Sequence, residues 1–253
     1  MTPDTLKIYF VSDCHFGIPN RAASFVREKR FIAWLDAIKA DASEIYILGD
    51  LFDFWFEYRT VIPRGYVRLL GKLAELTDAG IRIHLFTGNH DMWMFDYFPT
   101  ELGIDLFRAP VIKEMHGLRM MIGHGDGMGP GDYGYKFIKK VFANKVCQWF
   151  YARLHPNFAL GLGLFFSRRS RLGRGNSDSI YKGDERERLL VYCHEHIKRE
   201  PIDLFVFGHR HLPMDMPVGD ASRYINLGDW FYNFTYGELD GKKFELKSFV
   251  DEG

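Results

Sequence analysis

The run Glu44-Ile45-Tyr46-Ile47-Leu48-Gly49-Asp50-Leu51-Phe52-Asp53 passes from β-branched and aromatic residues straight into a glycine and two carboxylates. Its apolar part is short and apolar on both faces, the mark of a sheet strand covered on two sides. Four further runs follow the same plan, at residues 6–11, 81–86, 118–122 and 202–207. Helical patterns separate the first three, roughly at 22–40 and 63–79. The second opens with Pro63 near its first turn and stops before Gly80, the asymmetry expected of helix ends. Strand alternating with helix implies βαβ units, a parallel or mixed sheet and an α/β fold. Beyond residue 220 the pattern alternates at 223–227, 233–239 and 243–250, and Asp240-Gly241 predicts a hairpin turn. An antiparallel edge to the sheet, or a second sheet packed on it, follows.

The chain has 253 residues, 47% of them hydrophobic and 16% aromatic, which excludes a disordered or collagen-like protein. One large domain, or one domain with an insertion, is expected at this length. The three cysteines, Cys14, Cys147 and Cys193, are too scattered for a disulfide framework. No signal-peptide pattern opens the sequence, and the longest apolar stretch, 158–166, falls short of the roughly 18–20 residues that cross a bilayer. A reducing cytoplasm is the expected setting. The first four strand centres recur about every 37 residues, whereas the fifth comes roughly 45 residues late. An insertion therefore follows the fourth strand.

Each of the five strands ends in a polar cluster: Asp13-Cys14-His15, Gly49-Asp50-Leu51-Phe52-Asp53, Gly88-Asn89-His90-Asp91, Gly123-His124-Gly125-Asp126 and Gly208-His209-Arg210-His211. In an open α/β sheet the carboxyl ends of the strands face one crevice, so the five clusters converge. Carboxylate, imidazole and carboxamide together suit divalent ions of the Mn, Fe or Zn type rather than Ca²⁺. Taken singly, Asp-x-His is usually a helix cap and Gly-Asp-x-x-Asp a turn. Five such clusters in this order, each after a strand, leave little room for that reading. The remaining histidines, His84, His116, His155, His194 and His196, fall in strands, turns or a charged helix and read as structural.

The motif order resembles the calcineurin-like metallophosphoesterase superfamily over residues 7–230. The resemblance implies a four-layer αββα sandwich, a single domain over 1–253 carrying a helical lid insertion at 133–180. It also implies a two-metal site, with Asp13, His15, Asp50 and His211 on one ion. Asp50 would bridge to a second ion held by Asn89, His124 and His209. Two divalent cations are the implied cofactors, Mn²⁺ first and Mg²⁺, Fe²⁺ or Zn²⁺ as alternatives. The implied catalytic pair is His90, giving a proton to the leaving oxygen or stabilising equatorial charge, and Asp53, orienting its ring.

The inserted stretch differs from the rest. Residues 133–177 hold Lys136, Lys139, Lys140, Lys145, Arg153, Arg168, Arg169, Arg171 and Arg174, nine positive charges with no Asp or Glu, beside ten aromatic residues. The net charge of zero is thus a cancellation between a basic insertion and an acidic body. The pattern predicts one amphipathic helix over 133–154, a break at Pro156 and a second segment over 158–171, a hairpin covering the crevice. Apolar bulk with one-signed charge suits an anionic membrane surface or a lipid phosphate, while RNA or DNA is the rival partner. The neutral overall charge argues against general nucleic-acid binding, and no obligate protein partner is expected.

The stretches 48–55, 124–135 and 226–230 are similar to those of the diphosphatase family that cleaves UDP-2,3-diacylglucosamine in lipid A biosynthesis. That resemblance implies cleavage of a pyrophosphate to UMP and 2,3-diacylglucosamine 1-phosphate. An acyl groove would lie along 158–166, with substrate contacts at Asp126, Asp132, Arg168, Arg169, Arg171 and Lys182. The family usually has Arg and Glu where this chain has His90 and Asp53, so another lipid, nucleotide or nucleic-acid phosphodiester is the alternative substrate.

Overall fold

In β1 (Lys7–Val11), Ile8 and Phe10 face one way and Tyr9 and Val11 the other, and all four are buried. A strand buried on both faces must lie between two layers. The computed structural model of the chain, which describes residues 6–131, 133–174, 180–181 and 183–250 and no side chains at 170–174, provides them. One layer is helical. The helix α1 (Arg21–Ile38), whose Asn20 cap accepts from the Ala23 N–H at 3.0 Å, buries Phe31, Trp34 and Leu35. Next to it α2 (Val67–Asp78) buries Leu69, Leu70, Leu73 and Leu76. These side chains form one core with Tyr9 and Val11. On the opposite face, Ile8 and Phe10 meet a second sheet.

The first sheet also contains β2 (Ala42–Ile47), β3 (Arg82–Phe86), β4 (Asp105–Phe107), β10 (Thr235–Asp240) and β11 (Lys243–Ser248), in the order β11-β10-β1-β2-β3-β4. Strands β1 to β4 are parallel, and β10 and β11 are antiparallel on the other edge. The second sheet has the order β5-β6-β7-β9-β8, from β5 (Val111–Met115), β6 (Leu118–Gly123), β7 (Leu204–Phe207), β8 (Pro213–Val218) and β9 (Ser222–Leu227). Met120, Ile122, Leu204, Val206 and Ile225 form the intersheet core with Phe10, Tyr46, Leu48 and Phe86. On the far side α7 (Arg188–Ile197) packs Leu189, Leu190 and Cys193 on Phe205, Phe207 and Tyr224. Helix, sheet, sheet, helix is the expected four-layer sandwich.

Several expectations need correction. The helix expected from Pro63 begins at Val67, because Tyr66 before it sits at φ 57°, outside the helical region. The chain also crosses from the first sheet to the second through β4 and β5, with α3 (Tyr97–Leu102) just before them. The helix expected over 133–154 is two helices, α4 (Tyr133–Ala143) and α5 (Lys145–Tyr151). Asn144 divides them, and its side chain accepts from the Val146 N–H at 2.8 Å as the cap of α5. Pro156 does not stand between segments. It opens α6 (Pro156–Arg174), the position where its missing N–H costs nothing.

The insertion sits against the loops that follow β2 and β3. The Trp93 indole donates to the Phe142 carbonyl at 2.8 Å, and Tyr151 packs its ring on Phe54, Phe56 and Trp93. Most of its other aromatic residues face solvent, Phe137 at 67% exposure and Phe158 at 61% among them.

Candidate metal centre

The clusters at the ends of β1, β2, β3, β6 and β7 do meet, and close backbone approach is what brings them together. A Cβ on Gly88 would overlap the Asp50 carboxylate, and one on Gly208 would overlap Ser12 and the Asp13 carboxylate. At Gly49 (φ 87°) a Cβ would lie 2.8 Å from the Gly88 nitrogen. Asp13, His15, Asp50, His209 and His211 all take positive φ, between 46° and 68°. Non-glycine residues adopt that region at a cost, and such strain gathers at functional sites.

Each central carboxylate has one oxygen tied down and the other aimed at imidazoles. Asp13 Oδ2 accepts from the Ser12 hydroxyl at 2.6 Å and the His209 N–H at 2.8 Å. Its buried Oδ1 accepts no hydrogen bond among the described residues and lies 3.1 Å from His211 Nε2 and 3.6 Å from His15 Nε2. Asp50 Oδ1 accepts from the His90 N–H at 2.8 Å. Asp50 Oδ2 lies between two rings, 3.6 Å from His15 Nε2 and 3.3 Å from His124 Nε2. Asn89 Oδ1 is 3.2 Å from the same His124 nitrogen, whose partner Nδ1 is 2.8 Å from the Leu48 carbonyl. A carbonyl only accepts, so Nδ1 is the donor and Nε2 is turned to the crevice. His209 lies edge-on to His124 with ring centroids 5.2 Å apart.

Among the described residues three groups could hold an ion: Asp13, His15 and His211; Asp13, Asp50 and His124; and His15, Asp53 and His90. The orphaned Asp13 oxygen and this mixture of oxygen and nitrogen donors fit divalent Mn, Fe or Zn. The electrostatics agree. Burial alone would raise the carboxyls of Asp13 and Asp50, yet His211 beside the first and His124 beside the second hold both well below the usual range. Burial likewise opposes charge on His124, but Asp50 outweighs it and pushes the ring up to about 10. Burial and then His124 push His209 down to about 4. Asp91 is pushed up to about 7 by burial and then by Asp50. It accepts from the Gly88 N–H at 2.8 Å and the Phe52 N–H at 3.2 Å, clasping the two loops.

His90 and Asp53 adjoin this group. His90 Nδ1 is 3.1 Å from the Asp53 carbonyl and 3.8 Å from its carboxylate, while Asp53 Oδ1 is 3.6 Å from His15 Nδ1. Between them stands Ser167 of α6, 2.9 Å from His90 Nδ1 and donating to Asp53 Oδ2 at 2.8 Å. Nothing in its sequence neighbourhood marks this serine, which lies among arginines and phenylalanines. The loops after β7 and β9 are braced too. Asn226 donates to the Gly208 carbonyl, and Asn233 donates to the His211 carbonyl at 3.2 Å and to Asp229 at 3.0 Å.

The expected substrate residues are less convergent. Asp126 is buried, accepts from the Tyr135 hydroxyl and pairs with Lys139 at 2.5 Å, both on α4. It shares a shallow cleft with His124, Lys139 and Arg108. Arg168 and Arg169 are exposed on α6. Asp132, Lys182 and the side chain of Arg171 lie outside the described residues.

Comparison with known proteins places this geometry. The model of the calcineurin-like phosphoesterase family matches residues 6–213. A protein of Porphyromonas gingivalis named UDP-2,3-diacylglucosamine hydrolase is 40% identical, over 97% of this chain and 98% of its own length. Proteins of the same name from Hahella chejuensis and Aeromonas hydrophila are 26% and 28% identical, over 94% and 89% of this chain and 95% and 91% of theirs. On the family match and the 40% relative together, the chain belongs to the calcineurin-like phosphoesterase family.

Proposed function

We propose that the protein hydrolyses the pyrophosphate of UDP-2,3-diacylglucosamine, giving UMP and 2,3-diacylglucosamine 1-phosphate, with two divalent metal ions, Mn²⁺ by preference. The observation that carries the reading is Asp50, one oxygen fixed by a backbone N–H and the other midway between His15 and His124. Asp13, His15, Asp50 and His211 would hold one ion, and Asp50, Asn89, His124 and His209 would hold the other. Bound there, the pair supplies positive charge for an attacking water and for the phosphoryl oxygens.

The chain's own residues do the rest. His90 gives a proton to the leaving oxygen from Nε2, since its Nδ1 hydrogen is committed to the Asp53 carbonyl. Asp53 orients that ring. Asp126 acts through Lys139, whose ammonium it holds in the cleft beside His124. Arg168, Arg169 and, by position in sequence, Arg171, Lys182 and Asp132 attend the polar part of the substrate. The lid at 133–180 takes the acyl chains on its apolar side.

No helix among the described residues is long and apolar enough to cross a membrane. The exposed Phe137, Trp149, Phe158, Phe165 and Phe166, with lysines and arginines around them, support peripheral contact with an anionic cytoplasmic membrane face.

The test is turnover by Mn²⁺-loaded protein of UDP-2,3-diacylglucosamine and of bis-p-nitrophenyl phosphate. UMP release is the expected result. Turnover of the diester alone would move the substrate elsewhere, and turnover of neither would refute a phosphoesterase.

A further inference from the structure

Helix α6 meets the body of the protein with its smallest residues. Ala159, Gly163 and Ser167 are four apart and so share one helical face, and all three are buried. The Tyr151 hydroxyl donates to the Ala159 carbonyl at 2.5 Å. At Gly163 a Cβ would overlap the ring of Phe54, the residue directly after Asp53. One turn further on, Ser167 enters the crevice and meets both members of the catalytic pair.

Among the described contacts the donors and acceptors have one consistent assignment. The Asp53 carbonyl can only accept, so the His90 Nδ1 that faces it at 3.1 Å carries the hydrogen. The same N–H reaches Ser167 Oγ at 2.9 Å. The serine's one proton then goes to Asp53 Oδ2 at 2.8 Å. Its hydroxyl therefore reads the hydrogen on His90 and passes the influence of the Asp53 carboxylate to it, across a direct separation of 3.8 Å that is long for a hydrogen bond.

We infer that Ser167 is a positioning residue for this reaction, joining His90 to Asp53 so that the crevice is complete only with α6 docked. The inference rests on the proposed phosphoesterase activity. It adds that the insertion supplies a working part of the machinery as well as a cover, and it ties substrate capture by the helices to the competence of His90.

Four proteins test it: wild type, Ser167→Ala, His90→Ala and the double variant, each assayed on whichever phosphoester the wild type hydrolyses. Ser167→Ala should lower kcat about 10–100-fold, as removal of such a supporting partner does, with KM changed less than about twofold. In the His90→Ala background the same change should cost nothing further. A serine that only packs α6 would instead raise KM and cost the same in both backgrounds, and either result overturns the inference.

A second readout needs neither metal nor substrate. In metal-free protein, the His90 Nδ1–H proton resonance, identified by its loss in His90→Ala, should shift or vanish in Ser167→Ala. An unchanged resonance overturns the inference. If the wild type hydrolyses no phosphoester, the proposed function fails, and this spectrum still decides the role of the serine.

Discussion

At the strand ends Asp13, His15, Asp50 and His124 are buried, and the atoms around Gly49, Gly88 and Gly208 leave no room for a methyl group. In α4–α6, Phe137, Trp149, Phe158 and Phe166 stand in solvent, and a few aromatic and polar contacts hold three helices in place. The first region is over-determined: each carboxylate oxygen of Asp13 and Asp50 is either bonded by a backbone N–H or turned to an imidazole. The second is under-determined, held along one small-residue face and open on the other. Chemistry that tolerates little displacement belongs in the first kind of region, and recognition of long flexible chains belongs in the second. Asp126 and Ser167 are two of the points where they touch, one gripping α4 and the other reached by α6.

Substitutions break this contrast in order of size. Asp50→Ala should remove the shared ligand, release metal and lower kcat by several kcal/mol, roughly 10³-fold or more, read by elemental analysis and steady-state kinetics. If the His90 ring donates a proton without ligating, as proposed, His90→Ala should cost about 10²-fold in kcat with metal content unchanged. If it lost both ions, His90 would be a ligand and its assigned role wrong.

Metal affinity should depend on pH with a definite sign. His124, held up at about 10, is protonated at neutral pH and must shed that proton to bind an ion, whereas His209, at about 4, is already neutral. Binding near pH 7 should release one proton from this pair, so affinity should rise about tenfold per unit as pH increases. Calorimetry in buffers of different ionisation heat measures the release, and none would contradict the electrostatics.

The smallest effect should come from the open face of the insertion. Phe165→Ser with Phe166→Ser should change stability by no more than about 0.5 kcal/mol per site, the usual range for exposed positions. KM should rise for the lipid substrate and stay constant for bis-p-nitrophenyl phosphate. A large loss of stability would make the second region a core like the first.

Much of this was legible in the sequence where one physical demand fixed several residues at once. The end of β2 shows it best: apolar on two faces, then Gly49 because the chain approaches Gly88, then Asp50. The missed elements lack that convergence. β4 has three residues, too few for any period. β8 carries Pro213 and Pro217, tolerable only because it is an edge strand. Pro156 reads as a breaker or as a helix start, and only the neighbouring chain decides. Ser167 matters through partners at positions 53 and 90, over a hundred and over seventy residues away, and no local pattern carries that.

Asp50 is proposed to sit between two metal ions. Titration of metal-free wild-type protein with Mn²⁺, followed to saturation by calorimetry, tests it most directly. The wild type should bind two ions per chain, and Asp50→Ala should lose that stoichiometry. Saturation of the wild type at one ion, or two ions still bound by Asp50→Ala, would contradict it.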